Sequence, residues 1–267
     1  MLKVGFIGTG NMGGALAKAV SKKIGGDKII LADFFADKAQ ILADEIGASV
    51  SSNIEIASDC THIFLGVKPQ MMNDMLSEIK GVISGRDNPP VLVSMAAGLS
   101  SDKICSMAGG NIPVVRIMPN TPASVGCGVV LYCSNCFAGE KDRETVADML
   151  AEAGFVDYLD EKLVDAASAV SGCGPAFVYM FAQSLADGAV ACGLPRDKAI
   201  AYASKMIEGS AKMVFESGIH PEQLKDNVCS PGGSTIQGVR ALESGGFRGD
   251  VAEAVISAYN KTVELGK

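Results

Sequence analysis

Histidine is scarce in this chain and tryptophan is missing: two of the first and none of the second in 267 residues. So few imidazoles do not suit a His-based hydrolase triad or a His-ligated metal enzyme. Positive charge is also in deficit, with 23 Lys and Arg against 30 Asp and Glu and a net charge of −7. That balance argues against a nucleic-acid glove and a polybasic membrane anchor. No window reaches the length of a membrane span without a charge or glycine interrupting it. The opening residues, MLKVGFIGTG, lack the apolar stretch and small-residue cleavage site of a secretory signal. The expectation is a cytoplasmic protein with neither membrane nor nucleic acid as partner. Internal repeats and low-complexity linkers are lacking too. With 48% hydrophobic and 20% charged residues, disorder is excluded, and the length calls for two domains.

Cysteine is present eight times, at 60, 105, 127, 133, 136, 173, 192 and 229. Such a number would suit a disulfide framework in a small secreted domain. Here the residues are scattered through apolar or glycine-rich stretches of a large chain, where free cysteine serves as a small hydrophobe. Cys133 and Cys136 form one CxxC, but no second pair or nearby histidine completes a zinc set. A structural role is expected for it, and no metal.

The first half alternates short apolar runs with helical spacing. Strands are predicted at Lys3–Ile7, Lys28–Ala32, His62–Val67, Val91–Met95 and Val114–Ile117, with edge strands at Val129–Cys133 and Phe155–Tyr158. Helices are predicted at Met12–Ile24, Asp37–Ile46, Met71–Ile79 and Lys141–Glu152. This alternation predicts an α/β fold with a Rossmann-like, doubly wound parallel sheet. Beyond about Leu163 only helices are read, over Pro175–Ala191, Arg196–Ser217, Ser234–Leu242 and Val251–Leu265. The expected domains are therefore 1–160, which binds a dinucleotide, and an all-helical 161–267. Apolar side chains such as Phe177, Met180, Phe181 and Leu185 need something to pack on. They either close a core within the chain or complete the core of a second copy.

The glycines, 31 in number, carry the chemistry. Gly8-Thr9-Gly10-Asn11-Met12-Gly13 follows a strand and opens a helix, and Asp33 stands twenty positions past Gly13 at the end of the next strand. In this context Gly8 makes the tight turn, Gly10 lets backbone approach a pyrophosphate, and Gly13 brings helix and strand together. The helix N-terminus then faces the phosphates. A carboxylate at Asp33 accepts bonds from the adenosine ribose hydroxyls and repels a 2′-phosphate. Phe34-Phe35-Ala36-Asp37 supplies no arginine, leaving Lys38 as the nearby cation, so the pattern leans to NADH over NADPH. Asp33 could equally cap a turn.

A carbonyl reductase commonly protonates its substrate from His, Tyr-Lys or Lys. With no such group in an obvious site loop, the residues fit a substrate that is already cationic, such as an iminium. The enzyme would then orient it and bind its anion. A second loop, Ser230-Pro231-Gly232-Gly233-Ser234-Thr235, precedes a helix and offers hydroxyls and free amides to a carboxylate. Alternatively, Ser234 caps that helix.

Long motifs then carry a family resemblance. Lys225-Asp226-Asn227-Val228-Cys229-Ser230-Pro231-Gly232-Gly233-Ser234-Thr235 resembles the hallmark segment of pyrroline-5-carboxylate reductases. Met118-Pro119-Asn120-Thr121-Pro122, Val67-Lys68-Pro69, Ala96-Ala97-Gly98, Val170-Ser171-Gly172-Cys173-Gly174-Pro175-Ala176 and Leu242-Glu243-Ser244-Gly245-Gly246-Phe247-Arg248 follow the same pattern, in order, along nearly the whole chain. The resemblance implies reduction of 1-pyrroline-5-carboxylate to L-proline by NAD(P)H, the last step of proline biosynthesis. It also implies a homodimer through intertwined C-terminal helices, often built into a ring of dimers.

By the same resemblance, Ile7, Gly8, Thr9, Gly10, Asn11 and Met12 hold the pyrophosphate. Asn53 and Val67-Lys68-Pro69 lie around the adenosine and central cofactor, Ala97 near the nicotinamide and Asn227 close to the cofactor. Ser230, Gly232, Gly233, Ser234 and Thr235 bind the substrate carboxylate, with the Thr235 hydroxyl, the one side chain assigned to catalysis, contacting the ring nitrogen. Many relatives carry Ser, Thr or Asn followed by Arg where this chain has Asp33 and Phe34, and Cys173 fills a slot often held by Ser. Two rivals are weighed. A β-hydroxyacid dehydrogenase places a lysine four residues after the second glycine of a Gly-x-Gly like Gly172–Gly174, where this chain has Val178. A non-catalytic dinucleotide sensor would not need the second loop.

Overall fold

The computed structural model describes residues 2–265. Among them, eight strands form one sheet: β1 (Val4–Ile7), β2 (Ile29–Ala32), β3 (Ser49–Val50), β4 (His62–Leu65), β5 (Val91–Ser94), β6 (Val114–Pro119), β7 (Gly128–Ser134) and β8 (Gly154–Tyr158). Their order is β3-β2-β1-β4-β5-β6-β7-β8. All neighbours run parallel except β6 and β7. The strand order reverses between β1 and β4, the kind of switch point where doubly wound sheets place a ligand.

The strands β1, β2, β4 and β5 are buried at every position because helices cover both faces. Alternation along each strand then sends its side chains to two different cores. On one face Val4, Phe6, Phe64 and Val93 meet α1 (Asn11–Ile24), α2 (Ala36–Ile46) and α6 (Glu140–Met149). The Phe6 and Phe64 rings stack there at 4.4 Å. On the other face Ile7, Ile63, Leu65 and Leu92 meet α3 (Asn53–Asp59), α4 (Met72–Ser84) and α5 (Ser101–Met107). In α4 the buried Leu76, Ile79 and Ile83 recur at three- and four-residue spacing, the stripe of a half-buried helix.

Differences from expectation have local causes. The short elements β3, α3 and α5 had no legible period, and α3 and α5 are instead started by Ser52 and Ser100, whose side chains accept from the third helical amide. The segment Val129–Cys133 is not an edge: β7 lies between β6 and β8, because α6 crosses over and returns β8 parallel to β7. Helix α7 (Glu161–Ser171) is held to the sheet by an ion cluster that no periodicity reveals. Arg116, only 4% exposed in the middle of β6, reaches Glu161 Oε1 at 3.4 Å and Asp165 Oδ1 at 3.1 Å. Glu161 also accepts from the backbone amide and hydroxyl of Ser101.

The chain divides into two compact units. One runs through Cys173 and takes in the residues from Ala258 onward; the other is Gly174–Ser257. The second unit holds α8 (Gly174–Ala191), α9 (Arg196–Ser217), α10 (Pro221–Val228), α11 (Ser234–Ser244) and the start of α12 (Phe247–Leu265). Phe181 packs on Phe247 at 5.9 Å, but α10 and α11 bury no residue. Tyr179, Met180, Tyr202 and Met213 are exposed, as are other large apolar groups. The stretch Glu161–Ala191 holds an 18-residue window of mean hydropathy 1.2, 11% buried, which by length and composition alone could cross a membrane; as expected, glycines interrupt it, at 172, 174 and 188.

The CxxC is explained by packing. Cys133 lies one residue before the end of β7, among Met118, Leu131 and Val164, where burial pushes its thiol up to about 12, while Cys136 is exposed in the turn that follows. Between them the buried Asn135 fixes that turn. Its Oδ1 accepts from the amides of Val114 and Ala138, and its Nδ2 donates to Ile112 O. Replacing Asn135 by Ala strands the Val114 amide and the Ile112 carbonyl, while the Ala138 amide keeps its bond to the residue-135 carbonyl, so equilibrium urea unfolding should show a loss of about 2–4 kcal/mol. A loss below about 0.5 kcal/mol, the range of ordinary surface substitutions, would contradict this assignment.

Candidate functional site

The first candidate site is built on the carbonyl ends of β1, β2 and β4. Gly8 has φ +97°, a conformation only glycine adopts without strain, and it turns the chain from β1 into α1. A Cβ at Gly13 or Gly66 would collide with the Gly8 carbonyl oxygen, so three glycines let α1 and the end of β4 close on this turn. Gly10 is the opposite case. It is exposed, and a Cβ there would meet no protein atom within 4 Å. The loop is thus tight on its inner side and open on its outer side, the shape that receives a pyrophosphate. Ile7 and Thr9 are buried, Met12 is half-buried and Asn11 is exposed at the first helical position.

Asp33 is the clasp of this loop. Its Oδ2 accepts from the Thr9 amide at 2.6 Å and the Thr9 hydroxyl at 2.9 Å, and its Oδ1 accepts from the Phe35 amide at 3.0 Å. Partial burial raises the carboxyl pKa, but the bonds from Phe35 and Thr9, with help from Lys38, outweigh it and hold the group below its ordinary value. Asp33 is therefore charged at neutral pH and does cap its turn. A carboxylate has about four acceptor positions, so three bonds leave room at Oδ1 for a ribose hydroxyl. The clasp role of Thr9 has no signature in the sequence, because its partner is 24 residues away.

Around the loop, Asn53 opens α3 and donates from Nδ2 to Glu78 Oε2 at 2.8 Å. Val67 is half-buried, whereas Lys68 and Pro69 are exposed where the chain leaves β4. Ala97 is exposed just past β5. Neither histidine joins this set. His62 is buried at the start of β4, bonded through Nδ1 to Thr61, and desolvation lowers its pKa so that the ring stays neutral. His220 accepts from the Glu222 amide as the N-cap of α10.

The second loop lies in the helical unit. Ser230 to Gly233 form a turn closed by the Gly233 amide donating to Ser230 O at 3.0 Å, with Pro231 second and Gly232 third at φ +69°. These are the residues that a type II turn demands. The turn delivers Gly233 as the N-cap of α11, so Ser234 is the first helical residue and does not cap the helix. Ser230, Gly232, Ser234 and Thr235 are exposed. Asn227 lies near the end of α10, where its Oδ1 accepts from Gln223. Beside the loop an ion network ties α10 to the start of α12. Arg248 bonds Glu222 and Glu243, and Lys225 bonds Glu222, whose carboxyl the two cations hold down to about 2.

The two loops share one property. Helices α3, α5, α7 and α10 carry a side-chain N-cap, and the uncapped α2, α4 and α9 have an aspartate in the first turn. Helices α1 and α11 have neither: each begins at a glycine with no side-chain cap bond and no acid in its first turn, and α8 likewise has no first-turn acid. The first amides and positive dipole ends of α1 and α11 therefore lack a side-chain acceptor, the chemistry that suits an anion.

Comparison with known proteins agrees with both halves. Residues 161–265 match the family model for pyrroline-5-carboxylate reductase dimerisation, and residues 3–98 match that for NADP oxidoreductase, coenzyme F420-dependent. The pyrroline-5-carboxylate reductase of Escherichia coli (strain K12) is 38% identical over 268 residues, covering 99% of this chain and 98% of the relative. That of Pisum sativum is 38% identical over 265 residues, covering 98% and 95%. Among solved structures, Plasmodium falciparum pyrroline carboxylate reductase with NADP bound superposes with a TM-score of 0.86 at 35% identity, over 100% of this chain and 98% of that one. With relatives so similar along essentially its full length, the chain belongs to the pyrroline-5-carboxylate reductase family.

Proposed function

We propose that this enzyme reduces 1-pyrroline-5-carboxylate to L-proline, the last step of proline biosynthesis, using NAD(P)H. The observation that carries the reading is the pair of uncapped, acid-free, glycine-opened helices α1 and α11 in a member of this family. The first loop suits the dinucleotide pyrophosphate and the second suits the substrate carboxylate.

The reduced nicotinamide supplies a hydride, and the product needs one hydride at C5 and one proton at the ring nitrogen. The residues Ile7 to Gly13 bind the dinucleotide, with Asp33, Asn53, Val67, Lys68, Pro69, Ala97 and Asn227 assigned to the rest of its length. Ser230, Gly232, Gly233 and Ser234 hold the carboxylate, and the Thr235 hydroxyl orients the ring nitrogen. A cyclic imine protonated by solvent needs little further acid catalysis, so the protein works mainly by proximity and orientation. The charge kept on Asp33 and the missing arginine at Phe34 favour NADH over NADPH. We place the enzyme in the cytoplasm, in keeping with its eight free cysteines. We further propose a homodimer through the exposed faces of its helices, assembled into a ring of dimers.

Purified protein should oxidise NADH or NADPH when given 1-pyrroline-5-carboxylate; absence of turnover with both would reject the activity. Thr235→Ala should lower kcat/KM for the imine by roughly 10- to 100-fold, the usual scale for one positioned group, while leaving cofactor affinity nearly intact. Loss of cofactor binding instead would contradict its assignment. In steady state the wild-type enzyme should have the higher kcat/KM with NADH, and Asp33→Ser should narrow the gap. A wide NADPH advantage in the wild type would show that Asp33 does not select the dinucleotide.

A further inference from the structure

Phe34 is the most solvent-exposed large apolar residue described in the chain, at 87%, and it directly follows the clasp residue Asp33. Its surroundings are ordered rather than loose. Asp33 bonds the Phe35 amide, Phe35 is the N-cap of α2, and the Phe35 ring meets the Phe34 ring edge-on at 5.2 Å and 87°. Lys38, one turn into α2, lies with its Nζ 4.8 Å from the centre of the Phe35 ring. The fold therefore supports a bare aromatic face at the carboxyl end of β2.

A dinucleotide whose pyrophosphate lies on Gly8–Gly13 meets its adenosine ribose at Asp33, and the next group along the molecule is the adenine. Base-on-aromatic stacking needs one flat ring and no hydrogen-bond partner. We propose that Phe34 is the platform on which the adenine of NADH stacks, making it a specificity-determining residue of this enzyme. The same ring stands where a 2′-phosphate would need a cation. The inference rests on the NADH reading above but concerns the base, not the 2′ position.

The chain has no tryptophan, so Phe34→Trp introduces a single fluorescent reporter. ADP-ribose, which carries the adenine but no nicotinamide, should quench it, whereas nicotinamide mononucleotide should not. By calorimetry Phe34→Ala should weaken ADP-ribose binding about 5- to 20-fold, within the range for losing one stacked base, and Phe34→Tyr should restore it. Unaltered ADP-ribose affinity in Phe34→Ala, or ADP-ribose binding to Phe34→Trp without quenching, would overturn the proposal and return Phe34 to a contact with another protein. If the wild type prefers NADPH while Phe34→Ala still loses ADP-ribose affinity, the dinucleotide reading fails and the adenine platform stands.

Discussion

The Gly8 carbonyl oxygen is hemmed in by Gly13 on α1 and Gly66 at the end of β4, so closely that a Cβ at either position would strike it. This three-glycine contact is a packing constraint before it is a binding feature. It lets α1 descend onto the sheet beside the switch point and aims its free amides across the strand ends. Any side chain here would lift the helix, and with it the Gly8–Gly13 loop. The Asp33–Thr9 clasp then ties that loop to the end of β2.

The chain makes economical use of charge. Where it needs a helix only for structure, it supplies a serine, an aspartate or even a histidine to the N-terminus. At α1 and α11 it supplies neither a side-chain cap nor a first-turn acid. Among the described residues buried charge is confined to Arg116, whose two carboxylate partners on α7 offset the cost of taking a guanidinium into the sheet. That cluster lies just before the glycine-rich passage from α7 into the helical unit. The helical unit itself buries few residues, and its exposed aromatic and methionine side chains are what a dimerisation region would present.

The parallel sheet was legible because strands covered on both faces read as short continuous apolar runs, and because Gly8, Gly10, Gly13 and Asp33 keep a spacing set by strand–turn–helix geometry. The second loop was legible as a turn by Pro231 and Gly232, but its capping residue was not: Ser234 offers the right side chain and Gly233 takes the position. Short helices such as α3 and α5 are too brief to show a period. The placement of Val129–Cys133 inside the sheet depended on where β8 would pair, a partnership between distant segments.

By itself, then, the sequence determined the local matters: where most of the longer strands and helices lie, where glycine must turn the chain, and which helices begin without an acid. Tertiary structure decided everything that needs two distant segments. It made Asp33 a clasp for Thr9, gave Arg116 its partners on α7, turned the CxxC into a turn anchored by Asn135, and left the Phe34 ring bare against the edge of Phe35. Backbone preference and side-chain period act within a few residues, whereas pairing, burial and exposure are set only when segments far apart in the chain are brought into contact.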